Sequence, residues 1–266
     1  MGHDAIAILQ DVEAAIRADR LILPSPPDHL LEIRRLLEAA DTPVDRIAAA
    51  IGQDPALAAR ILKITNSAAL GGQRPLESLS QAITRLGNRL VAALVTSHAL
   101  LQAFGQPCPA YAGLLEIIRE LSRQVAAWAW SLAREVRGLS AEEALLAGLV
   151  HRIGMLPILQ CAAHHGAPPP TEAMHDLLER HHHRIGAILL AHWRFPPEIV
   201  AAVSHYPAPP PAATPTLTDV LAAAVAAPNR RELPPSLGER LGLEDWPALL
   251  DGPAWRERYE QALAML

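Results

Sequence analysis

Lysine, cysteine and aromatic side chains are scarce in this chain of 266 residues. Of its 23 basic residues only Lys63 is a lysine, which we read as codon bias. Cys108 and Cys161 are the only cysteines, and with no CxxC pair they form no disulfide framework. Basic residues do not outnumber acidic ones: 23 against 28 leaves a net charge of −5, which argues against a dedicated nucleic-acid binder. The longest apolar runs, such as 145–150, fall short of the roughly 20 residues that span a bilayer. The N-terminal MGHDAIAILQDVEAAIR has charges inside its apolar run and lacks signal-peptide architecture. A soluble, cytoplasmic chain is the expectation. No run alternates β-branched and polar residues as a strand would.

What remains is rich in Ala and Leu. Hydrophobic residues make up 50% of the chain and aromatics 4%, a composition suited to closely packed helices. The central stretch is SAEEALLAGLVHRIGMLPIL, residues 140–159. Ser140 followed by Glu143 is a capping-box pattern. Leu145, Leu146, Leu149, Val150 and Ile153 then recur at helical spacing and predict one buried stripe. A polar pair, His151-Arg152, and Gly154 interrupt it. Elsewhere, helices are expected over 5–20, 28–39, 44–51 (after Thr42-Pro43, a cap-plus-Pro start), 55–70, 79–86 and 88–104, with Gly87 as a stop. Beyond the break at 105–109 come 111–136, with Trp128 and Trp130 pointing different ways, then the Ser140 helix, 171–193 and 197–206. The Pro-rich stretch 207–215 reads as an exposed link, less readily as a polyproline ligand. Short helices follow to Leu266. The fold class is all-α, a two-lobed multi-helix bundle.

Three segments carry a family resemblance. IGQDPALAARILKITNSAALGGQRPLESLSQAITRLG resembles the first lobe of HDOD domains, through Gln53-Asp54-Pro55, Leu57, Arg60, Asn66, Ser67, Ile83 and Gly87. ALLAGLVHRIGML is similar to the AFLAGLLHDIGKL of the HD superfamily. HHHRIGAILLAHWRFPPEIVAAVSHY is similar to HxxxGxxLLxxWxLPxxIxxAIxxHH. The resemblance implies a helical lobe leaning on an HD-like lobe, and a role in bacterial signal transduction without hydrolysis. We divide the chain into an N-terminal helix (1–20), the HDOD unit (21–206, its lobes 21–105 and 106–206), a link (207–216) and a C-terminal helical segment (217–266).

HD chemistry needs a His, a His-Asp pair and a distant Asp converging on one cation that activates water. In the family's HSxxVA pattern the first His position falls on Leu121. The His-Asp pair reads His151-Arg152, and a guanidinium has no lone pair for a metal. The last Asp falls near Ala223 or Ala224, with Asp219 about one turn away as a possible substitute. Neither metal ligands nor catalytic residues are therefore expected, and no cofactor. The triple His181-His182-His183 cannot converge on one ion from a regular helix, whose successive side chains point about 100° apart. We match His183 to the His of HxxxG, and His205 to a later His used by some metal-binding relatives.

Asn66, His151, Arg152, His183 and His205 make up the candidate groove for a ligand or partner, with Arg152 able to receive a phosphate or carboxylate. Asn66 and Ser67 have an equal claim to a local capping role. The expected partners are signalling proteins: a response regulator, a sensor kinase or a cyclic-dinucleotide enzyme. The alternative is a metal-dependent phosphohydrolase acting on a nucleotide or cyclic dinucleotide. A DNA-binding regulator, with residues 44–67 as helix-turn-helix, is disfavoured because its second helix offers only Arg60 and Lys63 as cations.

Overall fold

The structure is a computed structural model that describes residues 2–18, 28–39, 41–66, 76–104, 111–164, 172–193, 195–243, 245–264 and 266. The breaks at 105–109 and Pro168–170, Ser67 and Cys108 lie outside the described residues. Helices follow one another as α1 (Gly2–Arg17), α2 (Asp28–Glu38), α3 (Val44–Ile51), α4 (Pro55–Thr65), α5 (Leu79–Phe104), α6 (Ala112–Ala133) and α7 (Ala141–Val150). Then come α8 (Met155–His164), α9 (Glu172–His192), α10 (Pro197–His205), α11 (Leu217–Ala226), α12 (Pro235–Leu241), α13 (Trp246–Asp251) and α14 (Pro253–Ala264). The fold is all-α, with no strand among the described residues.

α7 lies at the centre. The Ser140 hydroxyl accepts the Glu143 N–H at 3.2 Å and donates to the Glu142 carboxylate at 2.9 Å, so the helix is capped at its start. Every residue from Ala144 to Val150 is buried, not one stripe as the periodicity predicts. The reason is that α5, α6, α10 and α11 all pack against α7. Gly148 permits this crowding: a Cβ there would overlap the Cα of Ala126 and lie 2.7 Å from its nitrogen, so α6 and α7 cross almost backbone on backbone. Residues 141–163 are apolar enough by composition to cross a membrane, but the stretch turns at 151–154 between α7 and α8, and 78% of its most apolar 18-residue window is buried in the fold.

In the first lobe α2, α3 and α4 pack around α5. Asp54 caps α4 by accepting the N–H groups of Ala56 and Leu57, both at 3.0 Å, with Pro55 at the first helical position. α3 spans 44–51 as the sequence predicts, but Pro43 and not Thr42 is its N-cap and no side chain caps the helix. α5 is interrupted by Gly87 at φ 78°, ψ 153°, a left-handed backbone that glycine adopts without penalty. Arg34 of α2 stacks over Phe195, 5.1 Å from its ring centre, and ties this lobe to the loop before α10.

Both ends of the chain pack on the second lobe. α1 lies on α8 and α9, and Glu13 pairs with Arg184. α11 has eight of its ten residues buried and packs on α6, α7 and α10, so it completes the second lobe's core. α14 runs along α6. Trp255 and Tyr259 stack on Trp128 at 6.5 and 4.9 Å, and Arg60 of α4 donates to the Leu266 carbonyl at 2.8 Å. Trp130 is buried too, with Arg134 over its ring at 4.6 Å.

Candidate functional site

The turn 151–154 joins α7 to α8 and presses against α9. Its approach is set by a glycine on each side: a Cβ on Gly154 would overlap the carbonyl oxygen of His182 and the amide nitrogen of Gly186. The glycine of the HRIG segment thus meets the glycine of the HHHRIG segment. That meeting delivers His151 and Arg152 to α9.

His151 is completely buried. Its Nδ1–H donates to the Gly148 carbonyl at 2.6 Å, and its edge meets the Tyr206 ring, centroids 5.7 Å apart. Its Nε2 is buried with no hydrogen-bond partner. Burial first, then the neighbouring Arg152 charge, push this imidazole well below its ordinary pKa, so it is neutral. His182 is buried beside it. Its Nδ1–H donates to the Leu178 carbonyl at 2.8 Å, leaving Nε2 to accept the Tyr206 hydroxyl at 2.5 Å. Burial holds His182 down at about 4. The same burial raises the Tyr206 phenol well above its usual range, which keeps it the donor.

Arg152 turns the other way. Its Nη1 donates to the Glu179 carboxylate at 2.6 Å and contacts the Met155 sulfur at 3.8 Å, while its Nε is buried without a partner. Burial works to raise Glu179, but the Arg152 charge and hydrogen bond outweigh it and hold the carboxyl below its ordinary pKa. This ion pair faces a pocket of about 250 Å³ whose opposite wall is the α6 face bearing Leu121.

The five residues of the expected groove have separate engagements. Asn66 caps α4 and clasps the backbone of Leu76, donating to its carbonyl at 2.9 Å and accepting its N–H at 2.7 Å, so its amide is spent on loop closure. His205 is exposed, with Nδ1–H on the Ala201 carbonyl at 2.9 Å. His183 is half-buried and edge-on to His182 at 5.8 Å. The histidine drawn into the site is His182: counted back from Gly186, HxxxG begins there, not at His183. Glu179 and Tyr206 also escaped the sequence reading. The signal for Glu179 was its place three residues before His182, one turn away on α9.

Asp219 is fully buried and doubly engaged. It closes a capping box with Thr216, accepting from its N–H at 2.9 Å and its hydroxyl at 2.8 Å, and receives Arg240 at 2.5 Å. Ala223 and Ala224 lie in the core. Among the described residues no group of three or more His, Cys, Asp or Glu side chains is arranged to hold a metal ion.

The HDOD domain family model matches residues 23–209. This chain belongs to the HDOD domain family. The HDOD chain superimposes on a protein of Shewanella amazonensis provisionally named a metal-dependent phosphohydrolase, with TM-score 0.84 and 28% identity over 100% of this chain and 99% of that one. An HDOD domain protein of unknown function from Geobacter sulfurreducens gives TM-score 0.65 at 21% identity, over 92% of this chain and 93% of the other. In sequence the chain is 28% identical over 216 residues to an uncharacterized protein of Treponema pallidum, which covers 73% of this chain. The chain spans about two-fifths of that curated relative's length (39%). The family model stops before α11, which the structure nevertheless places in the core of the second lobe.

Proposed function

We propose that this HDOD chain is a non-hydrolytic regulatory module of bacterial signal transduction, working by binding. The observation that carries the reading is the Arg152–Glu179 ion pair at the position where HD chemistry needs a metal-binding carboxylate. A guanidinium offers a cation no lone pair, and the carboxylate it engages leaves the pair with no net negative charge. Leu121 replaces a second ligand with a hydrocarbon. Asp219, the substitute for a third, already serves Thr216 and Arg240. His151 on its own leaves three of the four expected ligand positions unfilled, too few for the ligand count that metal hydrolysis requires.

Such a module transmits state by docking to a signalling protein, such as a response regulator, a sensor kinase or a cyclic-dinucleotide enzyme. A second reading, a metal-dependent phosphohydrolase acting on a nucleotide or cyclic dinucleotide, is favoured by the provisional name of the Shewanella relative. The two separate in an assay of the purified chain with a chromogenic phosphodiester in the presence of Mn, Fe or Mg. The non-hydrolytic reading expects no turnover above buffer with any of the three. Saturable, metal-dependent turnover that disappears in His151→Ala would establish the second reading.

A further inference from the structure

The pocket beside the Arg152–Glu179 pair is built from two unlike walls. One is a helical stripe on α6: Leu114, Ile118 and Leu121 line it, and Ile117 stands at its lip. Ile117 is 57% exposed, the one large apolar side chain left open to solvent among the described residues. One such residue is ordinary on a surface, but this one extends an apolar wall that already leads inward. The other wall sets charged groups beside the apolar Met155 and Leu178. Arg152, Glu179, His175 and Arg231 line it. Arg152 and Glu179 neutralise each other. The Arg231 guanidinium makes no ion pair among the described residues, and its backbone alone is committed, accepting the Trp246 indole N–H at 3.0 Å. With Arg152 paired to Glu179, Arg231 is the wall's one guanidinium without a carboxylate partner among the described residues.

We infer that this pocket binds a small carboxylate carrying a short apolar chain, the chain along the α6 stripe and the carboxylate at Arg231 with Arg152 behind it. Charge and volume both select this class. A single net cation matches a monoanion and would leave a dianion half unpaired. At about 250 Å³ the space is below the range typical of drug-sized ligands, so a body of several carbons fills it. The inference rests on the reading that no metal occupies this position.

The test is calorimetric titration of the full chain with butyrate, hexanoate and octanoate, and with 1-hexanol as the uncharged match, in the presence of EDTA. Affinity should rise about fourfold per methylene until the pocket is full. Hexanol should bind at least about tenfold more weakly than hexanoate, since it lacks the charge-assisted hydrogen bonds. Arg231→Gln should bring hexanoate down to the level of the alcohol. Ile117→Glu should weaken the whole carboxylate series by repulsion at the lip. Both side chains are exposed, so neither variant threatens folding. Absence of saturable binding, or binding indifferent to both variants, overturns the inference. Binding that appears only when EDTA is replaced by Mn overturns the metal-free reading on which it rests, and so identifies which of the two has failed.

Discussion

Replacing Gly154 by alanine probes the contact on which the site depends. The new Cβ would overlap two backbone atoms of α9, the His182 carbonyl oxygen and the Gly186 nitrogen, with the Gly186 Cα at 3.0 Å. No rotamer change relieves a clash between backbone atoms, so the turn 151–154 and α9 must part. Overpacking a well-filled core costs about 1–3 kcal/mol where side chains can adjust. Here they cannot, and a loss of at least about 3 kcal/mol is expected. For a chain of this size that is roughly 6–12 °C in Tm. Gly186→Ala supplies the control on the same contact. Its Cβ would sit 3.3–3.4 Å from Gly154 and from methyls of Ile153 and Val203, tight but tolerable. It also gains about 1 kcal/mol of helix propensity inside α9. The net change should stay within about 1 kcal/mol. Urea denaturation of the two variants decides the matter, because their losses should differ by about 2 kcal/mol or more. Equal stability would refute the claim that Gly154 is held backbone against backbone.

Three further outcomes follow from the same geometry. Asp219→Ala should cost about 3 kcal/mol or more in urea denaturation, because it strands the partly buried Arg240 and opens the capping box; a loss below about 1 kcal/mol would show that the pair is not the buried strut described. His182 is neutral when folded, with its pKa down at about 4 against an ordinary 6.5, so the unfolded chain binds the proton first. Its contribution is intact above pH 6.5 and is lost as the pH falls from about 6.5 to about 4, roughly 3 kcal/mol in all; urea midpoints across that window, flattened in His182→Gln, check the sign, and an unchanged slope in the variant would contradict it. Asn66→Ala should remove about 1 kcal/mol by freeing the Leu76 backbone from its clasp, with no effect on hexanoate affinity; a loss of affinity would restore Asn66 to the ligand groove.

Much of the fold was legible because helices announce themselves locally. Asp54-Pro55, Ser140 and the stop at Gly87 are capping and backbone signals that act within a few residues, and each appears where the chain predicts it. Burial all round α7 was not legible, since periodicity reports one stripe and says nothing of how many neighbours a helix has. The site was half legible. His151 and Arg152 stand out as polar residues in an apolar run, and their departure from the His-Asp pattern is plain. Glu179 and Tyr206 become part of the site only through the packing of α9 and α10 against the turn, a contact between residues far apart in the chain. The choice between His182 and His183 turned on a count of one residue, and on a helix one residue rotates a side chain by about 100°, here from the core to its margin.

The central claim, that this HD-type site functions without a metal, is tested most directly by elemental analysis of the untagged protein purified without chelators from cells supplied with Fe, Mn and Zn. The account predicts no metal at stoichiometric level. Stoichiometric metal in the wild-type chain that is lost in His151→Ala, with that variant still folded by circular dichroism, would contradict it.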